Sequence, residues 1–146
     1  MNNHQVQALL ESHHSKLLKL VDSIEKGPGF SWSFEKIQDE LKSSEAWGWW
    51  VDGELRAFVL WREGLDVYEI MALGTAPEFR QKGAMKSLLL HLIAGCQKAV
   101  WLEVHELNSA AIKLYQHLGF QPSGIRKNYY SDGASAVLMS LIRKDF

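Results

Sequence analysis

The sequence predicts a mixed α/β (α+β) fold in which about seven strands form one sheet and about four helices pack on it. Apolar residues recur at helical spacing in four segments, and seven other segments are short apolar or alternating runs. Glycine, proline and Asp-Gly turns separate these segments. A chain of 146 residues has the length of one domain, so residues 1–146 are expected to form a single unit.

The overall composition is ordinary for a soluble globular protein. Hydrophobic residues make up 47% of the chain and charged residues 23%, and the net charge is −1. Such a balance gives no general attraction to nucleic acid or to an acidic membrane. The sequence has neither a secretory signal pattern nor the roughly 20 apolar residues of a membrane span. We therefore expect a cytoplasmic protein with no nucleic-acid partner and no membrane partner.

The N-terminal segment predicts one strand and one helix. Residues 5–10 (QVQALL) have the pattern of a short strand. Leucine, valine and isoleucine recur at helical spacing over residues 13–26, and Ser12 is a candidate N-cap. The sequence Gly27-Pro28-Gly29 is expected to end this helix.

A second helix and three strands follow. Ser33 is a suitable N-cap for a helix over 34–42, and Trp32 and Ile37 are spaced as a hydrophobic staple across its first turn. The three strands cover residues 46–52, 54–63 and 66–75. The first two are joined by Asp52-Gly53, which is a strong signal for a hairpin.

The C-terminal half predicts two helices that alternate with strands. Residues 82–96 form an amphipathic pattern, and residues 99–105 (AVWLEVH) form an almost continuous apolar run. Asn108 caps a helix over 109–118, and Gly119 stands where a left-handed residue would end it. The last two strands cover residues 121–130 and 135–142.

The segment from Thr75 to Leu92 has the features of an anion-binding turn. A strand ends at a proline, and a basic turn that contains Gly83 opens the helix. The first amides of a helix lack internal partners and attract negative charge, and glycine lets a phosphate approach the backbone. Arg80, Lys82 and Lys86 add positive charge nearby. An ordinary helix start with a solvated basic face explains the same residues equally well.

Glu103 and Tyr115 are the candidate catalytic residues. Glu103 is a carboxylate within an apolar strand, where burial costs free energy unless the group is paired or takes part in chemistry. It could act as a general base, or it could lie at an edge and reach solvent. Tyr115 faces inward on the following helix and is otherwise a core tyrosine. His105 is an alternative base, whereas Cys96 fits inert packing better than a nucleophile. We predict no metal, because the histidines and the cysteine lack ligand spacing.

Two motifs together resemble the GNAT family of N-acetyltransferases, over roughly residues 30 to 142. The family pattern is Arg/Gln-x-x-Gly-x-Gly/Ala, then a strand, then Asn-x-x-Ala-x-x-Leu-Tyr-x-x-x-Gly-Phe. The matching residues are Arg80-Gln81-Lys82-Gly83-Ala84-Met85, Asn108, Ala111, Leu114, Tyr115, Gly119 and Phe120. The C-terminal run GFQPSGIRKNYYSDGASAVLM is similar to that of protein N-terminal acetyltransferases. Leu-Glu-Val at 102–104 and Trp32-Ser33 are similar to bacterial members that act on the N-terminal alanine of ribosomal proteins.

The resemblance implies a largely antiparallel central sheet and acetyl-CoA as the co-substrate. It makes Glu103 the proton acceptor and Tyr115 the proton donor. The residues that it places at acetyl-CoA are Leu73, Gly74, Thr75, Arg80, Gln81, Lys82, Gly83, Ala84, Met85, Lys86 and Asn108. Those that it places near the acceptor are Phe30, Trp32, Tyr129 and Tyr130. It also implies a backbone amide near Thr75 as the donor to the developing oxyanion.

The resemblance implies a protein or peptide N-terminus, such as that of a ribosomal protein, as the acceptor. A small-molecule amine or a lysine side chain is an alternative acceptor. The chain departs from the family pattern at Met85, where the family has glycine or alanine, so phosphate binding is expected to be weakened or reshaped. An acetyl-CoA-binding module without turnover is therefore a further alternative.

Overall fold

The computed structural model describes residues 4–24 and 33–142. Its strands are β1 (His4–Ala8), β2 (Glu45–Val51), β3 (Glu54–Glu63), β4 (Val67–Thr75), β5 (Ala99–His105), β6 (Gln121–Arg126) and β7 (Ala136–Leu141). Its helices are α1 (His14–Ser23), α2 (Phe34–Glu40), α3 (Ala84–Ala94) and α4 (Ser109–His117). The predicted mixed fold, with its element order, is confirmed.

The strands form one sheet in the order β1-β2-β3-β4-β5-β7-β6. Every neighbouring pair is antiparallel except β4 and β5, which are parallel. That parallel pairing covers only Val67, Tyr68 and Glu69 of β4, opposite Ala99 to Trp101 of β5. Because the later residues of the two strands are not paired with each other, the sheet opens between them along its middle.

The two faces of the sheet carry separate apolar clusters, as expected when both faces are covered. Alternate residues of β3 point to opposite faces: Ala57 and Val59 pack with α3 and α4, whereas Phe58 and Leu60 pack with α1 and α2. Within residues 4–24 and 33–142, no helix is both long enough and apolar enough to cross a membrane.

The turn between β2 and β3 has the conformation that its sequence predicts. Asp52 and Gly53 have φ values of 49° and 83°, and two successive positive values are those of a tight type I′ hairpin. In α4, the Asn108 side chain accepts a hydrogen bond from the Ala111 amide at 3.2 Å. Gly119 follows the helix with φ of 105°, so both predicted caps are confirmed.

The prediction of Ser12 as the N-cap of the first helix was wrong. Residues Glu11–His13 form a 3-10 turn, and His13 is the residue that precedes α1. The His13 ring accepts a hydrogen bond from the Leu10 amide at 3.1 Å, which stabilises this tighter turn. The proposed helix end at Gly27-Pro28-Gly29 and the staple residue Trp32 lie outside the described residues.

Helix α3 is shorter than the predicted 82–96. It begins at Ala84, because Gln81 and Gly83 have positive φ values of 62° and 83° that no α-helix accommodates. It ends at Ala94, and Cys96 lies just beyond it rather than within it. Cys96 is buried at 4% exposure, in agreement with a packing role.

Candidate active site

Two cavities lie where β4 and β5 separate, and they share four lining residues. The first, the helix-side cavity, has a volume of about 870 Å³ and extends from β4 and β5 to α3 and α4. The second, the loop-side cavity, has a volume of about 700 Å³ and lies beside the segment between β6 and β7. The shared lining residues are Ile70, Met71, Leu102 and Glu103. The two cavities therefore meet at Glu103.

The helix-side cavity brings together most of the residues predicted to contact acetyl-CoA. They are Leu73, Gly74, Thr75, Arg80, Gln81, Gly83, Ala84, Met85, Lys86 and Asn108. Lys82 is the exception: it does not line the cavity, and its Nζ lies 5.9 Å from the centre of the Phe79 ring. Tyr115 and Leu114 line the same cavity at its α4 side.

The turn before α3 leaves open space beside its backbone at Gly83. Gly83 precedes the helix with φ of 83°, and a Cβ added there would meet no protein atom within 4 Å. The first amides of α3 have no partner within the helix and lie at its positive end. The space beside Gly83 and these amides therefore fits a phosphate group, so the residues present suit the pyrophosphate of acetyl-CoA.

A β-bulge in β4 lies at Met71. Leu60 of β3 pairs with Ala72 and the next residue, Trp61, pairs with Ile70, so Met71 is the residue that the ladder skips. Gly74 is regularly paired with Phe58. The bulge thus lies at the point where the two cavities meet.

Glu103 is a partly buried carboxylate with a cationic partner. Its side chain is 29% exposed, and its Oε1 forms an ion pair with Arg126 Nε at 2.8 Å. Tyr129 lines the loop-side cavity together with Glu103. Burial, followed by the negative charge of Glu103, raises the pKa of Tyr129, which keeps its hydroxyl protonated. The carboxylate is therefore held in place from the β6–β7 side.

Tyr115 is deeply buried on α4, at 3% exposure, and lines the helix-side cavity. Burial raises the pKa of Tyr115 well above its usual value, with a smaller effect from Tyr130. Burial, followed by the charge of Glu103, raises the pKa of Tyr130 to about 12. Both hydroxyls therefore remain protonated at neutral pH and can donate a proton or a hydrogen bond.

The segment between β6 and β7, residues 127–135, carries Tyr129 and Tyr130. It is hydrogen-bonded to Glu106, the residue after β5. The predicted strand over 121–130 was too long: β6 ends at Arg126. Ser135 bonds to Glu106 through its amide, which donates to the Glu106 side chain, and through its carbonyl, which accepts from the Glu106 amide. We call residues 127–135 the acceptor loop, after the sequence-based expectation that Tyr129 and Tyr130 lie near the acceptor; both residues line the loop-side cavity.

The structure also adds residues that the sequence did not single out. Lys36, Glu69, Trp101 and Arg126 line the loop-side cavity with the two tyrosines. Phe30 and Trp32, predicted near the acceptor, lie outside the described residues. Among residues 4–24 and 33–142, no group of three or more His, Cys, Asp or Glu side chains could hold a metal ion.

The chain matches a known family over most of its length. Residues 9–120 match the sequence profile of the acetyltransferase (GNAT) family. The chain therefore belongs to this family of acetyl-CoA-dependent N-acetyltransferases.

Its relatives include enzymes that acetylate protein N-termini. It is 37% identical over 97 residues to the ribosomal protein bS18-alanine N-acetyltransferase of Escherichia coli (strain K12), covering 62% of this chain and 66% of that enzyme. The aligned part is thus slightly less than two thirds of the relative's length. It is 38% identical over 74 residues to the N-alpha-acetyltransferase RimI of Mycobacterium tuberculosis (strain ATCC 25618 / H37Rv), covering 49% of this chain and 47% of that protein.

The fold is also similar to a solved structure. The crystal structure of the ribosomal-protein-S18-alanine N-acetyltransferase from Escherichia coli superposes with a TM-score of 0.87. The sequence identity in that superposition is 27%, and it covers 99% of this chain and 97% of the other. The similarity in fold thus extends over almost the whole of both chains.

Proposed function

We propose that this chain transfers the acetyl group of acetyl-CoA to the α-amino group of a protein N-terminus, such as the N-terminal alanine of a ribosomal protein. The observation that carries the proposal is the meeting of the helix-side and loop-side cavities at Glu103. Two substrates that enter from opposite sides of the sheet would come into contact there. Such a ternary arrangement converts a bimolecular step into a reaction between positioned groups.

The helix-side cavity is the proposed site of acetyl-CoA. The amides from Gln81 to Lys86 would hold the pyrophosphate, and the backbone from Leu73 to Thr75 would run beside the pantetheine arm. Asn108 would lie close to the same molecule. When bound, acetyl-CoA supplies a thioester carbonyl that an amine can attack.

Three groups of the chain would then act on the reacting atoms. Glu103 would take the proton of the acceptor ammonium, directly or through one water. Tyr115, whose raised pKa keeps it protonated, would give its proton to the departing sulfur. A main-chain amide at the Met71 bulge would donate to the carbonyl oxygen as negative charge develops. We prefer this amide to one near Thr75, because Met71 lines both cavities, whereas Thr75 lines only the helix-side cavity.

Two observations favour a chain terminus as the acceptor. The loop-side cavity continues over an open surface of β5, β6 and β7, where Trp101 is 49% exposed and Ser123 is exposed, so an extended peptide has room. An α-amine has a reference pKa of about 7.7–8.0, against about 10.4 for lysine, so a carboxylate base deprotonates it more easily. The E. coli relative, named for the alanine of a ribosomal protein, supports the same substrate class.

The test is a direct comparison of acceptors. Thiol release from acetyl-CoA is followed with an alanine-starting peptide, the same peptide with a blocked N-terminus, a blocked peptide that contains lysine, and spermidine. Turnover on the free alanine peptide alone supports the proposal. Turnover only on lysine or spermidine would overturn the acceptor assignment, and acetyl-CoA binding without any turnover would indicate a binding module.

A further inference from the structure

His105, the last residue of β5, is a buried histidine with a partner at each ring nitrogen. The side chain is 3% exposed. Its Nδ1 accepts a hydrogen bond from the Leu107 amide at 3.1 Å, and its Nε2 lies 2.8 Å from Asp132 Oδ2. Because an amide can only donate, Nδ1 has to accept, and Nε2 therefore carries the proton that it donates to Asp132. Neither nitrogen is left to take a proton from another molecule, so the alternative role of His105 as the base finds no support in this geometry.

The His105 ring lies against Tyr130. The two ring centres are 4.8 Å apart and the planes are inclined by 24°, which is a stacked arrangement. Tyr130 lines the loop-side cavity, whereas His105 lines neither of the two cavities. Any effect of His105 on a bound acceptor therefore has to pass through Tyr130 or through the acceptor loop.

Asp132 connects the same histidine to the acceptor loop. Its Oδ1 accepts from the Ala134 amide at 2.9 Å while its Oδ2 bonds to His105, so the carboxylate joins the loop turn to the end of β5. The loop turn is closed by two backbone bonds, from the Tyr130 amide to Ala134 and from the Gly133 amide to Tyr130. His105 thus touches Tyr130 by its face and the loop turn by its edge.

We propose that His105 is a positioning residue for the acceptor, which fixes the Tyr130 ring at the loop-side cavity with the help of Asp132. This inference rests on the proposed function, because it takes Tyr130 to contact the incoming chain terminus. A hydrogen-bonded imidazole cannot rotate without losing one of its two partners. It therefore provides a fixed surface for Tyr130, so less conformational freedom is lost when the acceptor binds.

The experiment is a double-mutant cycle with the alanine-starting peptide. His105→Ala should raise the KM for the peptide by roughly 5- to 10-fold, from the lost stack and hydrogen bond. The value of kcat and the Kd for acetyl-CoA should change by less than about twofold. In a Tyr130→Ala background, His105→Ala should raise the KM for the peptide by less than about a further twofold, because its effect passes through Tyr130.

Two further variants sharpen the cycle. His105→Phe keeps a ring beside Tyr130 without bonding to Asp132, so its KM should lie between those of wild type and His105→Ala. His91→Ala is the matched control, since His91 also packs on an aromatic ring, Trp47 at 4.1 Å, and lines neither cavity. The inference would be overturned if His91→Ala raised the KM as much as His105→Ala does. It would also be overturned if the effects of His105→Ala and Tyr130→Ala on KM were fully additive, or if His105→Ala lowered kcat by the same factor as it raises KM.

A second readout separates this inference from the proposed function. If the wild-type chain acetylates no peptide, the proposed function fails, and the positioning is then read from amide hydrogen exchange. The amides of Tyr130, Gly133 and Ala134 should lose protection in His105→Phe and in Asp132→Asn, while those of the β2–β3 hairpin keep it. Unchanged protection in both variants would overturn the positioning role, whatever the activity.

Discussion

Arg126 Nε forms an ion pair with Glu103 Oε1 over 2.8 Å, so a cation already lies against the proposed base. Arg126 is 55% exposed, and its guanidinium carbon lies 5.8 Å from the centre of the Tyr129 ring. An acceptor ammonium that delivers its proton to Glu103 has to approach the same carboxylate. The arginine and the acceptor therefore compete for one anionic partner.

Replacing this arginine is expected to favour the acceptor. An exposed ion pair contributes about 0.2–1 kcal/mol, so Arg126→Ala should lower the KM for the alanine peptide by roughly 1.5- to 5-fold. Steady-state kinetics at low ionic strength measures the change. Lys127→Ala, which removes a neighbouring exposed charge, is the control and should have no effect. A higher KM in Arg126→Ala would instead mean that the guanidinium binds the peptide.

Glu103→Gln should remove the proton acceptor and keep the shape of the site. A positioned general base contributes about 10²- to 10⁴-fold, so kcat should fall by at least about 10²-fold with an unchanged Kd for acetyl-CoA. The residual rate should rise about tenfold from pH 6 to pH 7, because it now depends on the free fraction of an amine of pKa about 7.7–8.0. Glu54→Gln at the exposed start of β3 is the control. Full activity in Glu103→Gln would remove Glu103 from the mechanism.

Tyr115→Phe should lower kcat by roughly 10²-fold while the ring keeps its packing, including the contact with Phe120 at 6.0 Å between ring centres. The pKa of Tyr115 is raised by burial, so its hydroxyl is protonated throughout the range from pH 6 to pH 10. Ionisation of Tyr115 should therefore cause no fall in the wild-type rate between pH 6 and pH 10. The pH–rate profiles of wild type and Tyr115→Phe should have the same shape in this range. A basic limb of the pH–rate profile that the substitution abolishes would contradict the raised pKa.

Met85→Ala tests the departure from the family pattern. Met85 is partly buried against the apolar cluster between the sheet and helices α3 and α4. It also lines the helix-side cavity beside the turn amides. A smaller side chain should let a phosphate approach those amides, and a gain of about 1 kcal/mol would lower the Kd for acetyl-CoA about fivefold. The lost packing should reduce the free energy of unfolding by about 1–2 kcal/mol. Calorimetric titration and urea unfolding measure both effects.

The control for this variant is Leu90→Ala, which shortens a side chain on the same helix that is 46% exposed and away from the cavity. It should leave the Kd for acetyl-CoA unchanged. A higher Kd for acetyl-CoA in Met85→Ala than in Leu90→Ala would show that the thioether side chain contacts acetyl-CoA.

Local signals in the sequence predicted those elements whose ends depend on neighbouring residues. Asp52-Gly53 specifies its own turn, and Asn108 and Gly119 cap α4 through bonds or conformations within a few residues. The start of α3 was missed because Gln81 adopts a positive φ, which is uncommon for a residue other than glycine and gives no pattern in the sequence. The Met71 bulge was not predicted, because the pairing of β3 with β4 decides its position.

The same distinction explains the candidate site. Glu103 and Tyr115 were predicted as candidate residues from their motif and from their polarity within apolar segments. Arg126 was not, because it reaches Glu103 only when β6 pairs with β7 and β7 pairs with β5. The hydrogen bonds between the acceptor loop and the residue after β5 also depend on this order of strands. Spacing along the chain does not reveal that order.

The last prediction concerns the buried carboxylate that anchors α2 to the sheet. Glu40 is 7% exposed, accepts from Arg62 Nε at 2.6 Å, and is also bonded to the Ser44 hydroxyl. Glu40→Gln keeps the volume but removes the charge-assisted bond, so the free energy of unfolding should fall by about 1–3 kcal/mol in urea titrations. Asp39→Asn on the same helix is the matched control, because its pair with Lys42 is exposed and its loss should cost less than about 0.5 kcal/mol. Equal effects of the two changes would show that burial adds nothing to the Glu40 pair, and that α2 is held to β3 by its apolar contacts alone.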